Sequence, residues 1–461
     1  MGAVGRHVAS FVRMVPRAPN PTRGALRALP SGLFLAAAMT PPPTRPLPAL
    51  HRLFPRVYYG WIVVAGTFVQ SLVCVGIGFY SQQVLVDALP AVRGFERVEV
   101  SAASSVFFLL TGAFGFAIGP FVDRYGARGF IAVGATIQGL ALIWIGSLET
   151  SAWLVPAFAA LAFGFALSTS VPTGAILTRW FVANRSLATM FSQTGVSAGG
   201  AIMIPVATTL IHGRGLGFAT ETLALTIWVV ALPVVLFVLR WDPVEHGLEP
   251  DGGLDAARHS RHVSLAAQQR VWQRRQAIRT RTFWTLALAF GCVLAAQVGM
   301  IAHQLAALAE QMPRETAMWG GSLIPIGSFL GRFVVGPFAD RFDKRHVAMG
   351  LVGFQGLAIL AFTLSESPAA LFGATLLFGL TIGNIFMLQS LITADLFGIP
   401  SFGRVYGAVQ LCSQLASGAG PLLVGTLHAE LGGYPSSLRW LTVLSAASML
   451  LLSRLRPPAP E

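Results

Sequence analysis

The sequence predicts an all-α membrane protein of twelve transmembrane helices, arranged as two six-helix halves related by pseudo-symmetry. Three observations predict it. The chain of 461 residues is 54% hydrophobic and 11% charged, less than half the charge of an ordinary soluble domain. Apolar stretches long enough to cross a bilayer recur along its length. A short motif in the first half returns in the second at a fixed offset. The composition excludes a disordered chain and argues against a soluble enzyme. The 49 Gly and 28 Pro follow no G-X-Y period, and membrane helices tolerate more of both than soluble ones do.

Six spans are expected near 60–86, 101–121, 129–148, 152–178, 187–211 and 222–239. A polar linker follows over 241–282, and six more spans near 283–309, 317–339, 346–364, 368–393, 402–428 and 436–453 complete the chain. The first half is then 58–240, the second 283–453, and the C-terminal tail 454–461. Trp61, Trp153, Trp180, Trp284, Trp319 and Trp440 fall near span ends, where interfacial aromatics collect.

The formal charge of +13 resolves once the basic residues are placed on this topology. Of the 32, 26 fall on one side, in both tails, the linker and the loops after spans 2, 4, 8 and 10; five fall on the other. The remaining one, Arg332, is inside span 8. The split is a positive-inside signature with both termini cytoplasmic. It leaves no basic patch for nucleic acid.

Residues 1–57 hold eight Arg, no acid and much Pro, and their longest apolar run, Leu33 to Met39, is too short to span. The segment reads as a disordered tail or as a stretch before a later start at Met39. A mitochondrial-type presequence also fits its composition, and a secretory signal would have a weak apolar core. One Lys stands against 31 Arg, which points to a GC-biased coding sequence. Cys74, Cys292 and Cys412 fall inside spans without metal-ligand spacing, so no metal or other cofactor is expected.

The repeat is Gly119-Pro120-Phe121-Val122-Asp123-Arg124, which returns as Gly336-Pro337-Phe338-Ala339-Asp340-Arg341, an offset of 217 that also carries Arg128 onto Arg345. Each copy closes the second span of its half. Parallel repeats of this kind are a plan of secondary transporters, with a site near the midplane between halves. Gly and Pro let a helix end pack closely and turn. The Asp at that end can pair with an Arg of a neighbouring turn or helix, a bond able to hold one conformation and release another. The alternative is a loop whose Arg only set topology.

This pattern resembles the loop signature G-x-x-x-D-R-x-G-R of the major facilitator superfamily. The first copy fits, with Gly126 in the late glycine position; the second has Asp343 there. Trp180-Phe181 with Asn184-Arg185, the stretch Pro243 to Gly252, Gly331-Arg332, Ser401 to Gly407 and Gly420-Pro421 extend the resemblance. Together they are similar to bacterial members of the monocarboxylate transporter group, which includes the oxalate/formate antiporter. The resemblance covers about 58–453 and implies the major facilitator fold, a bacterial inner membrane location and a small-anion substrate.

Arg332 is the sharpest candidate. It lies eight positions before Asp340, about 12 Å inside the membrane by helical rise. A buried cation there costs at least ~3 kcal/mol, and no acid is expected mid-span; the nearest is Asp395, near the end of span 10. A guanidinium pairs bidentately with a carboxylate, so a substrate anion can supply the missing charge. The alternatives are that Arg332 snorkels to the surface or clamps Asp340 or Asp395. The equivalent first-half residue is Gly115, so topology does not require the charge. The resemblance implies that this arginine contacts the carboxylate.

His303, in span 7, can hydrogen-bond a substrate or carry a coupling proton, although a lone buried His is more often structural. Tyr80, Gln82 and Gln83 in span 1, Gln193 in span 5, Asn384 and Gln389 in span 10, and Gln410, Ser413 and Gln414 in span 11 are uncharged polar candidates; others of this kind bridge helices. The gating set is Gly119, Asp123, Arg124, Arg128, Gly336, Asp340, Arg341 and Arg345.

Three departures qualify the resemblance. Ser328 stands where proton-coupled animal members carry an acid, and span 1 has no lysine. Span 11 lacks the second cation of the oxalate exchanger, which favours a monoanion. Gly195-Val196-Ser197-Ala198-Gly199 matches a hydrolase elbow but lies within a span, away from the strand-to-helix turn that elbow needs. No ATP-binding loop is present.

The expected function is therefore secondary active transport of a small organic anion, a monocarboxylate, by alternating access. A coupling proton or counter-anion is the expected second partner, beside the lipid bilayer. The alternative is an exporter of a drug or neutral metabolite. An enzyme is not expected.

Overall fold

The structure is a computed structural model that describes Pro55 and residues 57–253, 271–339, 341–431 and 433–458. Within these, the side chains of 81–83, 86, 87, 97, 98, 101, 314, 315, 318, 319, 321, 322 and 336–338 are outside the description. The readings of the N-terminal tail therefore fall almost wholly outside the described residues, and Asp340 falls outside them too.

Twelve long helical spans account for most of what is described. They are α1 (Tyr59–Tyr80), α2 (Arg97–Tyr125), α3 (Ala127–Gly146), α4 (Ser151–Trp180), α5 (Arg185–Arg214), α6 (Leu216–Val238), α7 (Arg281–Ala309), α8 (Arg314–Ala339), α9 (Lys344–Leu364), α10 (Pro368–Phe397), α11 (Phe402–Leu431) and α12 (Tyr434–Ser453). Ten of them are apolar and long enough to cross a membrane on those grounds alone. The other two are α8, which is apolar over Leu323–Val335, the stretch of it whose side chains are described without a gap, and α11. These two carry Arg332 and the run Gln410, Ser413 and Gln414.

The repeat in the sequence is a repeat in packing. In the first half α1 lies on α5, α2 on α4, and α3 on α4 and α6; in the second α7 lies on α11, α8 on α10, and α9 on α10 and α12. Each pairing recurs six helices later. The match reaches single side chains. Gln138 of α3 donates to the Cys74 carbonyl of α1 at 2.7 Å. At the same offset of 217, Gln355 of α9 accepts from Gln297 of α7 at 2.8 Å. Both glutamines are fully buried, and in hydrocarbon such amides tie helices together. Outward-facing Leu140, Val229, Phe237, Leu357 and Leu422 leave an apolar belt exposed on both halves, the surface a bilayer covers.

Two of the spans that depart from regular α-helix are α1 and α4. α1 widens into a π turn over Gly76–Tyr80, a feature frequent at functional sites, and Tyr80 ends that turn. α4 breaks at Thr169. Three residues on, Pro172 has no N–H to give the Ser168 carbonyl, and Gln70 of α1 donates to that carbonyl instead, at 2.6 Å.

The halves meet along two seams. α2 packs on α11, and α5 packs on α8 and α10. In the first seam Gly115 and Gly119 face Gly403 and Gly407; a Cβ on Gly407 would stand 2.5 Å from the Gly115 carbonyl oxygen, and one on Gly119 would strike the Gly403 carbonyl. Small residues four apart let helix backbones approach to this degree.

Candidate functional site

Arg332 sits where α8 meets α5. Its residue is 6% exposed, so the charge is withdrawn from solvent. Nη1 donates to the Gln193 carbonyl oxygen at 2.6 Å and to Ser197 Oγ at 2.6 Å, both on α5. Nε is buried without a partner. No carboxylate pairs with Arg332 among the described residues. Asp395, one of the acids considered for it, is occupied elsewhere. The stem lies against α10 at Gly383, where a Cβ would collide with Nε and stand 2.8 Å from Ser328 Oγ. Only glycine leaves room for the guanidinium there. Tyr80, at the end of the π turn of α1, rests its ring on Gly200 of α5.

The other polar candidates divide. Asn384, next to Gly383 on α10, is fully buried; Nδ2 donates to the Leu380 carbonyl at 3.0 Å while Oδ1 has no partner. Gln410 Oε1 on α11 is likewise buried and unpartnered. Gln414 is half-buried on the same helix, its Cβ side facing Gly112 of α2 across the seam. Gln389 and Ser413 bond each other at 2.7 Å and so tie α10 to α11. The side chain of Gln83, like that of Gln82, lies outside the described residues.

His303 is not part of this group. It stands about 33 Å along α7 from Arg281, whereas Arg332 stands about 10 Å from the end of α8 on the same face. His303 Nε2 bonds the Pro421 carbonyl at 3.0 Å, and its ring lies 5.5 Å from Tyr434 at the start of α12. His428 stacks on the same tyrosine at 4.1 Å. The arrangement is a joint within the second half.

The arginine-rich face is closed by polar bonds at the rim of the two seams. Asp123, whose side chain is 1% exposed, accepts from Gly403 N (2.8 Å), Arg404 N (2.9 Å) and Arg404 Nε (3.1 Å). It occupies the N-terminus of α11, where free amides and the helix dipole favour an anion. Across the other seam, Asp395 of α10 accepts from Arg185 of α5 at 2.9 Å and from Lys344 at 2.8 Å.

The linker joins the first of these clusters. Arg274 lies over the Phe116 ring, 3.7 Å from its centroid, and donates to the carbonyls of Phe116 and, at 3.3 Å, Arg404. Phe116 has that carbonyl free because Pro120, four residues on, has no N–H. Burial, then the neighbouring Arg404, pull the Arg274 guanidinium below its usual range, with Asp123 acting against them.

The remaining gating candidates have separate fates. Arg128 donates to the Val235 carbonyl at 3.2 Å and to that of Leu236, capping the end of α6. Arg124 is exposed beside Tyr125, and Arg341 is exposed. Arg345 donates to the Leu455 carbonyl at 2.7 Å. The surroundings of Gly336 and all of Asp340 lie outside the described residues. Tyr125, Arg128, Arg240, Trp241, Glu245 and His246 line an open surface cavity of about 420 Å³ on this face, apart from Arg332. Among the described residues no cluster of His, Cys, Asp or Glu could hold a metal ion.

Sequence reasoning did not find Ser197, Gly383, Arg274 or Asp251. Asp251 ends the Pro243-to-Gly252 stretch and accepts from the amides of Val182 and Ala183 (2.6 Å each) and Asn184 (3.1 Å). It thereby pins the linker to the turn before α5. The only signal for it was its place in the resemblance text. The Gln138–Gln355 correspondence was open to discovery by extending the 217 offset.

The chain matches the Major Facilitator Superfamily over residues 66–312 and 295–461. It is 22% identical to an uncharacterized MFS-type transporter, YcxA, of Bacillus subtilis (strain 168), over 80% of this chain and 90% of that protein. It is 24% identical to monocarboxylate transporter 13 of Bos taurus, over 82% and 85%, and 24% identical to the agnestins efflux protein of Paecilomyces divaricatus, over 74% of each. In fold it is similar to the transporter FucP solved in the outward conformation, with a TM-score of 0.67 at 13% identity, covering 86% of this chain and 99% of that one. The human organic anion transporter MFSD10 gives 0.63 at 16%, covering 85% and 99%.

Proposed function

The chain belongs to the major facilitator superfamily, and from that premise we propose that it is a secondary transporter of a small organic anion, a monocarboxylate, working by alternating access. The observation that carries the reading is Arg332: a buried cation at the meeting of the halves, held by a carbonyl and a hydroxyl with no carboxylate partner among the described residues. A bound carboxylate supplies the missing charge in a bidentate geometry that guanidinium favours. Tyr80, Asn384, Gln193, Gln410 and Gln414 are the polar groups offered to the rest of the substrate, with Gln83 on the same first span. His303 is left with a structural part.

By the positive-inside rule the arginine-rich face is cytoplasmic, as are both termini, and the location is a bacterial inner membrane. The Asp123–Arg404 and Arg185–Asp395–Lys344 clusters then hold the cytoplasmic side shut, and the alternating step requires their release. Gly119 makes the close approach possible, and the Gly336–Asp340 copy serves the second half in the same way. Because Ser328 rather than an acid stands beside Arg332, a counter-anion returning on Arg332 is a simpler coupling than a proton on a neighbouring carboxylate. The likeness to an efflux protein favours export as a second reading, with a drug or neutral metabolite as the cargo.

The test is counterflow in proteoliposomes with acetate, lactate and pyruvate against neutral competitors. Saturable carboxylate exchange that Arg332→Ala abolishes, in a variant that still elutes as a folded monodisperse protein, is expected. Wild-type carboxylate exchange by that variant, or competition by neutral solutes alone, overturns the reading.

A further inference from the structure

We propose that Ser197 is a positioning residue that stands in for the substrate at Arg332, so that α5 and the transported anion compete for one guanidinium nitrogen. The inference rests on the reading of Arg332 as the anion site. Arg332 belongs to the second half and Ser197 to the first, so the bond between them also ties the halves.

The donors of the guanidinium are unequally used. Both Nη1 hydrogens are taken, by the Gln193 carbonyl and Ser197 Oγ at 2.6 Å each. Nε is buried against Gly383. Nη2 makes no hydrogen bond to the described residues, so it is where an arriving anion can dock first. A carboxylate that binds end-on takes one N–H from each Nη nitrogen. It completes that geometry only by displacing one of the two acceptors on Nη1.

The acceptors differ in what they lose. The Gln193 carbonyl is fixed in the α5 backbone. The Ser197 hydroxyl rotates freely, and in a helix it can turn to the carbonyl one turn back. Ser197 is therefore the partner that leaves. Seating the anion and breaking one of the two bonds that Arg332 of α8 makes to α5 become one event. A neutral solute, with no charge to match the two short bonds, does not drive the exchange.

The test reads the tie without any ligand. Spin labels on the cytoplasmic ends of the two halves of the full-length protein, measured by pulsed electron resonance, report the separated population. Ser197→Ala is expected to raise that population about tenfold, the worth of one charge-assisted bond. Ser197→Thr, which keeps the hydroxyl, restores the wild-type distribution, and Ser197→Ala adds nothing in an Arg332→Gln background. Acetate, the probe anion, moves the wild-type distribution toward that of Ser197→Ala and binds Ser197→Ala about tenfold more tightly than wild type. An unchanged distribution in Ser197→Ala, or an undiminished effect in the Arg332→Gln background, overturns the tie. Weaker acetate binding by Ser197→Ala overturns the competition, since Ser197 would then be a substrate ligand. Failure of the Arg332 reading itself shows separately, as carboxylate exchange that persists in Arg332→Ala.

Discussion

Asp123→Asn should open the arginine-rich face, and the size of the effect follows from its bonds. The carboxylate accepts three hydrogen bonds, two from amides at the start of α11 and one from the Arg404 guanidinium. Asparagine keeps one acceptor oxygen, turns an NH₂ toward a donor, and leaves Arg404 without its anion. Breaking a buried charged pair by neutralising one partner costs about 3–5 kcal/mol. At about 1.4 kcal/mol per factor of ten, the closed form loses roughly two to three and a half orders of magnitude against the open one. Hydrogen exchange read by mass spectrometry measures this directly at the amides of Gly403 and Arg404, whose acceptor is the substituted group. Their protection should fall about a hundredfold or more, while amides in the middle of α3 and α9 keep theirs. A change under threefold at Gly403 and Arg404 would show that Asp123 does not hold the seam, and the closure would have to be assigned to packing alone.

Gly383→Ala puts a methyl group where Arg332 Nε lies; carboxylate exchange should fall at least about tenfold, with thermal stability within ~2 kcal/mol of wild type. Arg274→Ala should lower stability by about 1–3 kcal/mol. That loss should shrink in a Pro120→Ala background, where a restored N–H serves the Phe116 carbonyl; a double-mutant cycle on thermal unfolding reads the coupling. Asp251→Ala strands three amides before α5 and should cost about 2–4 kcal/mol, seen as a lower midpoint in detergent with the helical content of the folded state unchanged.

What the sequence made legible is what repeats or what is out of place. The copies of the Gly119-to-Arg124 text, 217 residues apart, pointed to two halves, and Arg332 stood out as a charge in an apolar run. The partners of these residues were hidden because they are distant in the chain. Asp123 meets Gly403 across 280 residues, and Arg332 meets Ser197 across 135. A serine in a helix has no pattern that marks it as the acceptor for a buried cation. Gly383 was hidden for another reason: its part is to be absent, and one glycine among 49 carries no such label. His303 shows how a polar residue in an apolar span carries no label for its partners. A polar residue in an apolar span looked like a site, but the nearest free carbonyl and an aromatic ring accounted for it.

The α2–α11 seam carries a last consequence. Gly115 and Gly119 meet Gly403 and Gly407 backbone to backbone, so at these four positions no rotamers have to be reshuffled if the two surfaces part as proposed. Interlocked side chains act like gear teeth and add friction to any separation; a glycine track is closer to a pair of smooth rails. On the proposed alternating cycle, the speed of parting is governed by the few polar catches at the rim, Asp123 and Arg404 above all. Evolution or an engineer can retime the cycle there by changing one catch, leaving the rails untouched.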